Sequence, residues 1–296
     1  MLSARALTES MIATGSSRSA SLQSRDLTRA ISSASNTSRR SIRALLLPLV
    51  KLASRSDVLI ADSVGCWRCG GELFFLPRFI FQRTAVAKPR IEVAIFAGME
   101  GNDLGGILGL TEFLRALNAH PAIGREYRLW LYPLCNPVGY VDGSDILPSG
   151  KDFDREIWNN SDSPEVQWIE QELSQRRFDG ILSLRGDPLA NRVQASVDDQ
   201  TIDFVTPALA AAEQALPAKQ RAQLAGFSVR KRSRNKGAQG YRGHSHKSFE
   251  IVLEVPRQFS LGLQSEIFLV SLHAILAAYR RISSPAARDL FQGSNS

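Results

Sequence analysis

The apolar positions of the chain fall into two patterns, continuous runs and stripes with helical spacing. The continuous runs predict strands at residues 58–64, 73–81, 91–96, 127–134, 180–184 and 249–255. The stripes predict helices at residues 41–53, 104–117, 161–178 and 264–281, and the first of these is expected to be interrupted near Pro48. Strands and helices that alternate in this way are typical of one α/β domain built on a largely parallel sheet.

The two ends of the chain differ in composition from the part between them. Residues 1–36 are dominated by Ser, Ala, Thr and Arg, which predicts a flexible basic tail. We therefore expect one folded domain at residues 37–285 and a flexible C-terminus at residues 286–296.

The positive charge of the chain is unevenly distributed. The formal net charge is +7 at pH 7, and residues 214–249 contain nine basic and no acidic side chains. Binding of nucleic acid needs a basic stripe on the folded body, so charge concentrated in the tail and in one loop-like stretch does not favour a nucleic acid partner. One basic cluster remains a candidate contact for an acidic partner, and it consists of Arg230, Lys231, Arg232, Arg234 and Lys236.

Signals for export or membrane insertion are weak in this sequence. No continuous apolar run reaches the roughly 18 residues of a membrane-spanning helix, and the N-terminus lacks the apolar segment of a signal peptide. The chain has three cysteines, of which Cys66 and Cys69 form a lone C-x-x-C in a predicted hairpin, so a reducing compartment is favoured. We expect a cytoplasmic protein. Import into an organelle is the alternative, because the N-terminus is rich in Ser and Arg and poor in acids.

The most informative motif follows the strand predicted at residues 91–96. Residues 97–103 read Ala-Gly-Met-Glu-Gly-Asn-Asp, a turn flanked by glycines that leads into a helix. This stretch resembles the Ala-Gly-x-His-Gly-x-Glu run of zinc carboxypeptidases and of their succinylglutamate desuccinylase and aspartoacylase relatives. In that family the run supplies the first two zinc ligands. Here Glu100 has the position of the His, and Asp103 has the position of the Glu.

Four further segments extend the resemblance in the same order along the chain. Residues 131–140 resemble the family strand that ends in Asn-Pro-x-Gly, and residues 149–158 resemble the segment whose Asn and Arg hold a substrate carboxylate. At those two positions this chain has Asp154 and Arg155. Residues 178–188 resemble the strand that leads to the third zinc ligand, a His, where this chain has Arg185, and residues 249–256 resemble the strand with the catalytic Glu, here Glu254.

This resemblance implies a three-layer α/β/α fold with a mixed, mainly parallel, twisted sheet. It also implies a ligand crevice at the carboxyl ends of the central strands.

The departures from the family motif fall at the positions of the metal ligands. A catalytic zinc of this type needs three N or O ligands, and the protonated guanidinium of Arg185 has no free lone pair. We therefore expect zinc to be absent or weakly bound. Our hypothesis is that Arg185 fills the space of the ion and pairs with Glu100 and Asp103, because unpaired buried carboxylates are costly. His244 and His246 offer an alternative, a rebuilt metal site with a different spacing.

Three functions are open from the sequence. The favoured one is a degenerate, inactive carboxypeptidase-like protein that binds a carboxylate-bearing peptide or small molecule through Arg155 and Asp154. The second is an active metallocarboxypeptidase or amidohydrolase with an altered metal site, in which Glu254 is the general base. The third is an interaction protein that docks acidic partners through its basic segments. For Arg155 itself, a structural ion pair with a neighbouring acid is an equally good interpretation.

Overall fold

A computed structural model describes residues 40–83, 91–231 and 248–283 of the chain. The tails expected at residues 1–36 and 286–296 lie outside the described residues. The strands are β1 (Leu59–Cys69), β2 (Glu72–Gln82), β3 (Ile91–Phe96), β4 (Tyr127–Tyr132), β5 (Gly180–Asp187), β6 (Val193–Val197), β7 (Phe227–Lys231) and β8 (Phe249–Pro256). The helices are α1 (Ile42–Ala53), α2 (Leu104–Ala119), α3 (Pro137–Asp142), α4 (Phe153–Glu156), α5 (Pro164–Gln175), α6 (Ile202–Ala215), α7 (Ala218–Arg221) and α8 (Leu261–Ser283).

The described strands form one mixed sheet in the order β1-β2-β4-β3-β5-β8-β6-β7. Strands β4, β3, β5 and β8 run parallel to one another in its centre. The β1–β2 hairpin is antiparallel and pairs antiparallel with β4, and β6 is antiparallel to β8. The predicted three-layer fold with a mixed, mainly parallel sheet is confirmed.

The central strands are buried on both faces, as their continuous apolar runs predict. Along β3, Val93 and Ile95 point into a core that they share with α1, α2, α6 and α8, whereas Ala94 and Phe96 point into a second core with α5. Successive side chains of a strand face opposite sides of the sheet, so one strand contributes to both cores.

The prediction that the first helix is interrupted near Pro48 is wrong. α1 continues through Pro48, with Ser41 as its N-cap, whose Oγ accepts a hydrogen bond from the Ala44 N–H at 3.1 Å. A proline inside a helix removes one backbone hydrogen bond. On either side of it, Leu46 and Leu49 are buried in the core, and this burial outweighs the lost bond.

The hairpin places the C-x-x-C motif where the sequence predicts it. Cys66 and Cys69 lie in the last part of β1, and both are free thiols. The chain reverses at Gly70 and Gly71, whose φ angles of 56° and 83° are accessible to glycine without strain. The hairpin strands are longer than predicted and reach Cys69 and Gln82.

Helix α8 meets the length and composition of a membrane-spanning helix, the one such helix in the described ranges. Its apolar residues are buried in the domain core, among them Leu263, Ile267, Leu272 and Ile275. Core packing against α2 and α6 therefore accounts for its apolar character.

A buried charge network joins the hairpin to α5 on the second face of the sheet. Arg78 donates to both carboxylate oxygens of Asp62, at 2.8 and 2.6 Å, and to Glu172 Oε2 at 2.6 Å. Tyr132 also donates to Glu172 Oε2 at 2.6 Å. The Arg78 side chain is 8% exposed and the Glu172 side chain 5%, so these charges depend on each other for compensation.

We expect Arg78→Ala to lower the free energy of unfolding by about 3–5 kcal/mol, because it leaves Asp62 without a cation and leaves the buried Glu172 with Arg176 alone. Denaturation in urea measures this. Arg115→Ala is the matched control, since Arg115 pairs with Glu112 on the exposed side of α2. The control should change stability by about 0.5 kcal/mol or less. Equal losses in the two variants would contradict the assignment.

Candidate functional site

The carboxyl ends of β3, β5 and β8 lie together at one edge of the sheet. Parallel pairing aligns Phe96 with Ser183, and it aligns Arg185 with Glu254. The turn after β3 is held to the end of β4 by backbone bonds, since Cys135 N donates to Ala97 O at 3.1 Å and Asn136 N donates to Gly98 O at 2.8 Å. The segments that resemble the family motif therefore meet at this edge, as predicted.

Asp103 is the N-cap of α2 and joins that helix to β5. Its Oδ1 accepts from the Gly106 N–H at 3.1 Å, and its Oδ2 accepts from the Gly186 N–H at 2.9 Å. The residue is 3% exposed, and burial raises the pKa of its carboxyl to about 6, although the two N–H groups act in the opposite direction. Both oxygens of Asp103 are thus already engaged by the backbone.

Glu100 pairs with Arg257, a residue that the sequence analysis missed. Arg257 Nη2 contacts Glu100 Oε2, Nη1 contacts Asp145 Oδ2 at 2.9 Å, and Nε donates to Gly186 O at 2.9 Å. The guanidinium therefore bridges two carboxylates from different loops. The available signal was its position, because Arg257 directly follows β8 and must emerge at the same edge as Glu100.

The hypothesis that Arg185 pairs with Glu100 and Asp103 is wrong. Arg185 instead pairs with both oxygens of Asp154, through Nη1 and Nη2. Burial would lower the pKa of Arg185, but the charge of Asp154 and the hydrogen bonds to it raise the pKa above its ordinary value. The guanidinium does lie near Asp103, without a hydrogen bond between them. The cation thus stays at the predicted edge but takes a partner from the loop that covers it.

Glu254 contacts β6 and β7 rather than this ion-pair cluster. Its Oε2 accepts from Ser196 Oγ and from Arg230 Nη2, each at 3.3 Å. Burial raises the pKa of the Glu254 carboxyl, while the nearby charge of Arg230 lowers it. The net effect is a raised pKa, so this carboxylate is a better proton acceptor than an ordinary glutamate, although a hydroxyl and a guanidinium already contact it.

Arg155 lies on the exposed side of α4. Its side chain is 80% exposed, and its Nε contacts Asp152 Oδ2 at 3.0 Å, so the ion pair considered in the sequence analysis is present. An exposed pair of this kind contributes little to stability, so Arg155 is accessible to a ligand from solution.

Part of the predicted basic cluster has intramolecular partners. Besides the contact of Arg230 with Glu254, Lys231 Nζ lies 2.5 Å from Asp199 Oδ1. The other cluster members, Arg232, Arg234 and Lys236, lie outside the described residues, and so do His244 and His246.

The side chains at the three positions that resemble zinc ligands do not fit a catalytic zinc. Arg185 cannot donate a lone pair, Asp103 is bound by two backbone N–H groups, and Glu100 is neutralised by Arg257. Within the described ranges, no three His, Cys, Asp or Glu side chains are grouped so that they could hold a metal ion. The charged side chains at this edge therefore form an ion-pair network rather than a set of metal ligands.

Solved structures of metallo-carboxypeptidases share this fold. One is a metallo-carboxypeptidase from Burkholderia cenocepacia, with a TM-score of 0.68 and 17% identity, covering 83% of this chain and 70% of that one. A second is carboxypeptidase A from Helicoverpa armigera, with a TM-score of 0.64 and 12% identity, covering 87% of this chain and 80% of that one. A third is a metallo-carboxypeptidase from Pseudomonas aeruginosa in complex with (2-guanidinoethylmercapto)succinic acid. Its TM-score is 0.54 and its identity 18%, and the match covers 79% of this chain and 68% of that one.

The sequence matches no protein-family model and no curated protein. At these identities the structural likeness shows the fold alone. The metallo-carboxypeptidase-like fold implied by the sequence resemblance is confirmed at that level.

We expect wild-type protein to lose stability relative to Asp103→Asn as the pH rises from about 4 to about 6. The folded state holds a proton on Asp103 up to a pKa of about 6, whereas the unfolded state releases it near the ordinary aspartate pKa of 3.8. The stability gained from that proton is complete below the unfolded pKa and is lost as the pH passes the folded pKa, a change of about 3 kcal/mol.

Urea denaturation of both proteins at several pH values measures this difference. Asp57→Asn, in the exposed turn before β1, is the control and should follow the wild-type profile. A constant difference between wild type and Asp103→Asn over this range would contradict the raised pKa.

Proposed function

We propose that the chain is a degenerate zinc-carboxypeptidase-like protein that lacks zinc-dependent hydrolysis and binds a carboxylate-bearing peptide or small molecule. The observation that carries this proposal is the engagement of all three ligand-like positions by partners within the chain. Each of the three side chains thus has a partner other than a divalent ion. A kinship with succinylglutamate desuccinylases and aspartoacylases, and a cytoplasmic location, are parts of the same proposal.

Loss of hydrolysis follows from the chemistry of these groups. In metallo-hydrolases the ion polarises the scissile carbonyl and lowers the pKa of its bound water to about 7. A carboxylate at the position of Glu254 needs such an activated water as its proton donor. Here Glu254 is held by Ser196 and Arg230, and the neighbouring cation, Arg185, is engaged by Asp154. The residues of this edge thus supply positive charge and no activated nucleophile.

Retained binding is supported by an exposed cation, Arg155, next to the residue that contacts Arg185. The planar guanidinium of Arg155 can hold a carboxylate through two parallel hydrogen bonds, and the group is exposed. A solved neighbour binds a substituted succinic acid, a ligand that carries carboxylates. Succinate is therefore a suitable first probe for this crevice.

We expect the full-length chain, purified without a histidine tag, to contain far less than one metal ion per molecule. Elemental mass spectrometry measures this, with the Burkholderia cenocepacia metallo-carboxypeptidase as the positive control. Added zinc should not produce release of amino acids from peptides. One metal ion per chain, together with hydrolysis that a chelator abolishes, would favour the active-enzyme alternative. Loss of that metal in His244→Ala would locate the rebuilt site.

We expect succinate to raise the melting temperature and Arg155→Ala to weaken succinate binding by about 10- to 100-fold, because a hydrogen bond to a charged group contributes about 1.5–3 kcal/mol. Thermal unfolding and calorimetric titration measure this. Neutral succinamide is the ligand control, and Arg115→Ala is the protein control. Binding of acidic peptides that survives Arg155→Ala but is lost in Arg230→Gln/Lys231→Gln would favour the interaction-protein alternative.

A further inference from the structure

The contact between Arg185 and Asp154 has the chemistry of a bound ligand. Two guanidinium nitrogens face two carboxylate oxygens, the paired geometry by which arginine holds a carboxylate from solution. Nη2 of Arg185 also lies 3.6 Å from Met99 Sδ. Its Nε is buried and has no hydrogen-bond partner among the described residues. The guanidinium is thus fixed on the sheet, with one donor unused.

The two partners differ in how they are anchored. Arg185 belongs to the central strand β5, and its side chain is 21% exposed. Asp154 belongs to α4, a four-residue helix in the loop over the edge, and its side chain is 49% exposed. α4 is anchored by its neighbour Phe153, which is 2% exposed, rather than by Asp154. The Asp154 carboxylate can therefore leave the guanidinium without exposing the core.

We propose that Arg185 is a second anion-binding group beside Arg155 and that Asp154 is a resident carboxylate that a ligand carboxylate must displace. This rests on the proposed function, that the crevice binds carboxylates. Both carboxylates need the same two Arg185 donors, so they exclude each other. The affinity for a ligand is then reduced by the fraction of molecules in which Asp154 occupies the guanidinium. The exchange selects ligands with a carboxylate, since a neutral group cannot replace the charge of Asp154 beside Arg185.

The test is the affinity of the full-length chain for succinate at constant ionic strength, measured by calorimetric titration. Asp154→Asn keeps the size of the side chain and removes its charge, so we expect binding to tighten by about five- to tenfold. Asp162→Asn is the matched control, because Asp162 is an exposed carboxylate between α4 and α5. It should change the affinity by less than about twofold, the effect of net charge alone. Asp154→Ser should tighten binding as Asp154→Asn does. Arg185→Gln should abolish binding in both backgrounds.

The outcomes separate this inference from the proposed function. If the wild type binds succinate and the affinity of Asp154→Asn is no higher than that of Asp162→Asn, Asp154 is not a resident carboxylate. The proposed binding function is then unaffected. If succinate binding survives Arg185→Gln but is lost in Arg155→Ala, the inference about Arg185 and Asp154 is likewise overturned and the binding function is retained. Failure of both wild type and Asp154→Asn to bind overturns the inference and the binding function together. Binding by Asp154→Asn alone supports the inference, because Asp154 then occupies Arg185 almost completely in the wild type.

Discussion

The parallel pairing of the central strands brings charged side chains into one small region, and that region must be electrically balanced. β3, β5 and β8 end at the same edge, and Glu100, Asp103, Arg185 and Arg257 emerge there. A buried charge without a partner costs several kcal/mol. The chain meets this constraint with three guanidinium–carboxylate pairs and a carboxylate held by two backbone N–H groups. Each contact joins two elements, so the charge balance also fixes the turn after β3, the covering loop and the strand ends relative to one another.

The sequence predicted three of the charges that meet at this edge, but it missed Arg257 and Asp145 and did not predict the pairing. Glu100, Asp103 and Arg185 follow from strand ends and from the family resemblance. Asp154, the partner of Arg185, and Asp145, a partner of Arg257, come from the segment between α3 and α5, whose path is set by tertiary contacts such as the Ile146–Asp152 bridge and the burial of Phe153. No periodicity in that segment reveals its path. Predicting which two side chains form an ion pair is therefore less reliable than predicting where each one lies. A neighbouring side chain in the folded structure can replace the expected partner.

The difference between a local sequence pattern and tertiary contacts also explains which parts of the fold could be predicted. The central strands and the long helices have apolar patterns that only one arrangement buries, so their positions follow from the sequence. β6, α6 and β7 were not predicted. β6 and β7 are five residues each, and β7 lies at the edge of the sheet with partly exposed side chains. Short strands of this kind are determined by their neighbour in the sheet rather than by their own pattern. α1 shows the converse, since a strong local signal, Pro48, is overridden by packing.

Under the proposed function, a guanidinium stands where zinc carboxypeptidases have a metal ligand, and this changes what the edge of the sheet responds to. A bound ion exchanges with solution, so the stability of a metalloprotein depends on the supply of metal. Arg185 is covalently attached, and its pKa is raised by Asp154, so its charge is constant over the physiological range. Asp154 is half exposed and bound to Arg185 without any coordination chemistry, so it can be exchanged. The replaceable component of this edge is therefore an anion, where in a metalloenzyme it is a cation. Under the proposed function, such an edge responds to the concentration of carboxylates and not to that of metal, which is the behaviour of a binding protein.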